Sequence, residues 1–276
     1  MGKQTDVEQH YCVSGRLAAD IDAKLISMGK VLGQLGPEDL EAIDQFHIRG
    51  HAATMELAEM LSLPLYGRVL DVGSGLGGPA RAIARDFHCR VTGIDLTRDF
   101  CEAAKMLSRW TGLSDVVAFI QGDATTLDLT PASFDAVVTM HAAMNIRRKD
   151  AMYAGIRRAL KAGGRFGIYD VVAGEGGPVL YPVPWARDVS ISHLVSKDDM
   201  RSLLRGAGFV VEMEIDTTEA SAAWFEEKLK RLQNGGSSPL SFQLFLGAQH
   251  ADMIANQVRN LKDRRIRTVM WVASAA

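Results

Sequence analysis

The chain has 276 residues, 47% of them hydrophobic and 23% charged, with a formal net charge of −2. This is an ordinary globular composition, long enough to bury a large core, and it lacks the bulk positive field of a nucleic-acid binder. There is no run of about 18 apolar residues to cross a bilayer. With no leader pattern, and with Cys12, Cys89 and Cys101 scattered without metal-ligand spacing, the expectation is a cytoplasmic protein with no metal and no stable membrane association.

In chain order, Leu17, Ile21, Leu25, Met28 and Leu32 have the spacing of an amphipathic helix, which packs either internally or across a homodimer. Gly36-Pro37 breaks it. A short helix opens at Pro37, with Glu38 and Asp39 in the first turn, where the dipole favours acids. After Gly50 another helix presents Ala53, Leu57, Met60 and Leu61. From Arg68 strands and helices alternate. Strands are expected at 68–72, 90–94, 116–120, 134–140, 165–171, 209–215 and 266–273. Helices are expected at 79–87, 98–111, 149–160, 197–207, 219–233 and 248–262, with a turn at Lys161–Gly164 and a linker at 234–239. The central strands are almost continuously apolar, the mark of a parallel sheet buried on both faces. Residues 173–196, rich in Gly and Pro, interrupt the alternation. A long irregular segment after a strand is more often functional than not.

The centre of the pattern is RVLDV-GSGLGG-PARAIAR, a strand, a glycine turn and a helix opening on Pro79. Gly73 and Gly75 let backbone approach a ligand, and the helix N-terminus favours an anion. The second strand ends at Asp95, 22 positions after Gly73 (95 − 73). An acid about 20 residues on grips ribose hydroxyls in nucleotide folds. Asp71 stands two residues before the first glycine, where it suits an ammonium better than a pyrophosphate.

VLDVGSGLGG followed by GIDL resembles the class I S-adenosylmethionine (SAM)-dependent methyltransferases. The alternatives are a nicotinamide Rossmann enzyme or a glycine turn without function. The resemblance implies a Rossmann-like α/β fold, with a seven-stranded, mostly parallel sheet, an antiparallel last strand and helices on both faces. It divides the chain into a helical cap at 1–63 and a SAM-binding domain at 64–276 carrying the 173–196 insertion. It also implies SAM as cofactor and S-adenosylhomocysteine as product. Gly73, Ser74 and Gly75 would pass under the amino-acid head, with Asp71 near its ammonium. Asp95 would take the ribose and Leu96 an adenine face. Asp123, after Gly122, would accept from the adenine amino group, with Ala124 against the ring. An Asp at a strand end also often caps the element that follows, and Asp71 could instead be an N-terminal helix partner.

FHIRGHAATMELAE, QGDA, HAAMNI and GGPVLYPVPWARD narrow the resemblance. They look like a bacterial small-molecule branch labelled sarcosine/dimethylglycine N-methyltransferase-like, more distantly related to ubiquinone/menaquinone methylases. By that resemblance Phe46, Arg49, Gly50 and Thr54 lie near the amino-acid head and Tyr11 is a lid aromatic. His47 and His51 stand beside Arg49 and Gly50, where relatives often have a second glycine, a departure from the pattern. His141, ending strand four, faces methyl group and acceptor as a general base or an orienting group. Tyr181, Trp185, Arg187 and His193 are candidate acceptor walls. Arg187 would pair either with an acceptor carboxylate or with Asp188. The expected activity is methyl transfer to a small molecule, an amine first, with C- or O-methylation of a quinone, polyketide or terpene-like acceptor as alternative. A SAM-binding protein without catalysis is the reading from another class. A nucleic-acid methyltransferase is disfavoured, because strand four is followed by HAAM and no N/D-P-P-Y/F motif.

Overall fold

A computed structural model describes residues 6–11, 16–126, 128–233 and 240–275. Cys12 and the linker 234–239 lie outside them. Four helices precede the first strand: α1 (Asp6–Tyr11), α2 (Leu17–Ser27), α3 (Pro37–Asp44) and α4 (Gly50–Leu61). There follow β1 (Arg68–Val72), α5 (Gly78–Asp86), β2 (Arg90–Asp95), α6 (Arg98–Trp110), β3 (Val117–Gln121) and β4 (Phe134–Met140). Next come α7 (Lys149–Ala159), β5 (Leu160–Ala173), α8 (Lys197–Gly206), β6 (Phe209–Asp216) and α9 (Thr218–Gln233). The described chain closes with α10 (Gln243–Leu246), α11 (His250–Lys262) and β7 (Ile266–Ala275).

The seven strands form one sheet in the order β3-β2-β1-β4-β5-β7-β6. The first five pair in parallel. β7 lies antiparallel between β5 and β6. This is the expected Rossmann-like arrangement. Helical crossovers put apolar layers on both faces, which is why the strands are apolar throughout. One layer joins α7 and α8 to the sheet through Met152, Tyr153, Ile156, Met200 and Leu204. The other joins α4, α5 and α6 through Leu57, Leu61, Ile83 and Ala104. Gly167 of β5 makes this second layer possible, because a Cβ there would stand 2.9 Å from Leu61 and 3.2 Å from Leu57.

Two boundaries differ from expectation. α2 stops at Ser27, because Gly29 and Gly33 take φ of +73° and +86° and turn the chain out of the helix. The expected turn at 161–164 is part of β5. Leu160 pairs with Phe134 and Arg165 with Ala136, and the residues between bulge out of register.

The helices before β1 pack onto the domain. Ile21, Leu25, Leu40 and Ile43 share a core with Leu107 of α6 and Phe245 of α10. A separate core holds the insertion, where Val183, Trp185, Ala186 and Ile191 pack on Phe225, Leu261 and Ile266.

Candidate active site

Parallel strands end together, and their carboxyl ends open on a crevice. Here that crevice is a cavity of about 340 Å³, within the range of ligand sites. Its floor is the glycine turn. The Gly73 and Ser74 amides donate to the Ile94 carbonyl at 2.8 and 3.0 Å, tying the turn to the end of β2. Gly73 has φ +81°, and a Cβ there would collide with Ala142. Gly75 has φ +51°, and its Cβ position has no atom within 4 Å, so the turn opens on empty space.

Asp95 ends β2. Its Oδ2 accepts the Gly75 amide and its Oδ1 the Thr97 amide, both at 2.8 Å. Burial pushes its carboxyl above the usual range, and these donors oppose the rise. Leu96 lines the same wall, and Gly122, Asp123 and Ala124 line the next after β3. Asp123 Oδ1 accepts both the amide and the hydroxyl of Thr125 at 2.7 Å, so it caps the short turn that follows.

Phe46, Tyr11 and His141 complete the cavity. The Tyr11 hydroxyl donates to Asn145 Oδ1 at 3.1 Å. Asn145 Nδ2 donates in turn to the Trp185 and Ile191 carbonyls at 2.7 and 2.8 Å. One amide thus joins α1, the exit of β4 and the insertion.

Asp71 is buried beneath the glycine turn and does not line the cavity. Its Oδ2 has no hydrogen-bond partner, and neither has Ser74 Oγ. Burial, with the nearby Asp95 charge, pushes the Asp71 carboxyl up to about 7. Two orphaned buried polar atoms beside an open glycine turn fit a ligand that brings an ammonium and polar groups to this end.

His141 sits at φ +52°, a strained position for a side chain of this size. Its amide donates to the Tyr169 carbonyl at 2.7 Å. Its Nδ1 lies 3.3 Å from the same oxygen. A carbonyl only accepts, so Nδ1 carries the proton and Nε2 keeps its lone pair. That Nε2 is buried without a partner. His47 lies 6.1 Å away, ring to ring, and its Nε2 donates to the Gly50 carbonyl at 2.9 Å. Burial pushes His141 down to about 3 and His47 to about 4, so both rings are neutral at pH 7.

Beyond these histidines lies a second cavity of about 40 Å³. It shares Phe46, His47 and His141 with the first. Its other walls are aromatic or aliphatic, including Met144, Trp185, Trp224, Phe225 and Phe242, with Gln257 as a polar exception. No Asp, Glu, Lys or Arg lines it among the described residues.

The other expected site residues fall elsewhere. Arg49 and Gly50 line neither cavity and border a third space, of about 660 Å³. Tyr181 packs against the buried insertion core. Arg187 is a surface residue 3.3 Å from Asp6 and 3.4 Å from Asp188. The His193 amide donates to the Met144 carbonyl at 2.7 Å, and its carbonyl accepts from Lys149 Nζ. None of these three side chains reaches either cavity. Asn145, Trp224 and Phe242 carried no site signal in the sequence, and His47 showed only as a departure from the family pattern, since they meet the site through tertiary packing. Among the described residues no group of three or more His, Cys, Asp or Glu is placed to hold a metal ion.

Sheet order, glycine turn and strand-end acids are those of a class I SAM-dependent methyltransferase domain, the fold whose crevice takes SAM as cofactor. Residues 70–168 match the family described as Methyltransferase domain. The chain is similar to sterol 24-C-methyltransferase of Eremothecium gossypii, at 36% identity over 154 residues, 47% of this chain and 41% of the relative. It thus spans less than half the length of these curated relatives. Among solved structures it is similar to Haemonchus contortus phosphoethanolamine N-methyltransferase 2 bound to SAM. That likeness has a TM-score of 0.77 at 19% identity, covering 98% of this chain and 60% of the other. A putative sarcosine dimethylglycine methyltransferase from Galdieria sulphuraria gives a TM-score of 0.66 at 15% identity, covering 94% and 98%.

Proposed function

We propose that the chain methylates a small molecule that is uncharged and largely apolar at its reacting end, at carbon in the first instance. The observation that carries this is the 40 Å³ cavity, walled by aromatic rings and two neutral histidines, with no ionised side chain among the described residues. An amino-acid amine would bring a carboxylate there with no counter-charge, since Arg187 is held at the surface by Asp6 and Asp188. The curated relatives named as sterol 24-C-methyltransferases support a carbon acceptor, although they match only part of this chain.

SAM, when bound, supplies a methyl group made electrophilic by its sulfonium. The chain's own residues bind, orient and exclude water. In this reading Gly73, Ser74 and Gly75 carry the amino-acid head, and Asp71 meets its ammonium through the orphaned Oδ2. Asp95 takes the ribose hydroxyls, while Leu96, Asp123 and Ala124 hold the adenine. The helices of residues 1–63 close over the ligand, with Tyr11 latched to Asn145. The aromatic walls favour an acceptor that becomes cationic as it reacts. His141 Nε2 then takes the proton that a methylated carbon must lose. A neutral imidazole with a pKa near 3 cannot deprotonate a phenol, yet it suffices for a proton beside a carbocation.

The test is transfer of radiolabelled methyl from SAM to a small panel: an isoprenoid alkene, catechol and sarcosine. Label in the alkene is expected. Label in sarcosine or catechol alone would overturn the carbon-acceptor reading.

A further inference from the structure

The three cavities lie in series. The 40 Å³ cavity shares the two histidines with the cofactor cavity on one side. It shares Trp224 and Phe242 with the 660 Å³ cavity on the other. A space of 40 Å³ holds only the reacting end of a molecule. The Lys228 ammonium lies 4.3 Å above the Trp224 ring and 5.7 Å from Phe242, which fixes these two side chains at the junction.

Arg49 lines the large cavity and is absent from the wall of the cofactor cavity. It sits at φ +68°, a left-handed backbone that glycine adopts without strain and arginine does not. Its Nη2 pairs with Glu56 at 2.5 Å. Its Nη1 is buried with no hydrogen-bond partner. Arg81 and Arg85, the other guanidinium groups of this cavity, are paired with Asp44 and Asp86, and Arg81 keeps its own buried Nε without a partner. A strained arginine with one buried, unmet N–H in a cavity wall calls for an oxygen acceptor that the described residues do not supply.

We propose that the large cavity is the body subsite for an elongated acceptor whose far oxygen, a hydroxyl or carboxylate, bonds Arg49 Nη1. The reacting carbon lies beside His141, and the apolar chain passes Trp224 and Phe242. This rests on the apolar-acceptor reading above, and it assigns Arg49 to the acceptor where sequence resemblance assigned it to the cofactor.

The test is calorimetric titration of the full chain, saturated with S-adenosylhomocysteine, with 1-decanol, decanoic acid and butanoic acid. The ten-carbon probes are expected to bind and butanoic acid is not. Arg49→Gly, which suits the backbone, should weaken the ten-carbon probes at least tenfold and leave S-adenosylhomocysteine affinity within twofold. Ala52→Trp, on the cavity wall at an exposed helix position, should abolish ten-carbon binding. Ten-carbon affinity that ignores both substitutions, or absence of any probe binding, overturns the subsite. So does a loss of S-adenosylhomocysteine affinity in Arg49→Gly with probe affinity intact. Label transferred to a short alkene together with any of these results leaves the apolar-acceptor reading standing, whereas label confined to sarcosine removes that reading itself.

Discussion

Asp71 offers a direct test of how the cofactor's ammonium is held. Its folded pKa of about 7 lies well above the usual carboxylate range, because burial disfavours the charged form. In the ligand-free fold this acid therefore contributes stability below about pH 4 that is lost as pH rises through about 7. The full difference is on the order of 4 kcal/mol. An ammonium at Oδ2 reverses the preference and requires the carboxylate, so binding releases a proton wherever Asp71 is protonated beforehand. S-adenosylhomocysteine affinity should then fall on acidification. From pH 7 to pH 5 the ionised fraction of a group with pKa 7 drops about fiftyfold, and the dissociation constant should rise by roughly that factor. His47 and His141 are neutral across this window and add no slope. Asp170, also raised to about 7 by burial, accepts the Val171 amide at 2.8 Å and lines neither cavity, so it provides the control. Calorimetry in two buffers of different ionisation enthalpy counts the proton directly. Asp71→Asn should flatten the profile, and Asp170→Asn should leave it. A flat wild-type profile, or a slope that survives in Asp71→Asn, would refute the contact.

Other perturbations separate the remaining roles. Asp95→Ala should weaken S-adenosylhomocysteine more than tenfold by equilibrium dialysis, because a buried acceptor that also anchors the Gly75 and Thr97 amides is lost. His141→Ala should slow methyl transfer by about 10²–10⁴ at saturating SAM if Nε2 takes the proton. A loss under threefold leaves only an orienting role. Because burial holds His141 near 3, kcat should show no acid limb around pH 6.5, and such a limb would mean a solvated ring. Trp185→Ala should lower unfolding free energy by about 3–5 kcal/mol in denaturant melts, since its buried indole also donates to Ser192 Oγ at 3.0 Å.

The cofactor half was legible because its signals are local. An apolar strand, a glycine turn and an acid at the next strand end follow one another within 28 residues (95 − 68 + 1), and parallel pairing carries each acid to the same sheet edge. The acceptor half depends on side chains brought together from distant segments. His47 precedes β1, Trp224 lies on α9 and Phe242 follows the linker, and no periodicity links them. The insertion was visible as an anomaly, yet its direction was not. Trp185 turned inward while Arg187, two residues on, found partners at the surface. Arg49 stood next to a motif known for cofactor contacts, but the left-handed turn at Arg49 itself aims the chain past that cavity.

The placement of β7 has a consequence for how the molecule is made. β5 leaves the ribosome with one edge unpaired, and β6 cannot take that edge, because its neighbour is β7. Until residues 266–275 arrive, a row of N–H and C=O groups along β5 stays unpaired. The sheet thus stays divided until β7 has been made, and the open β5 edge is the kind of surface that pairs with other strands unless it is covered.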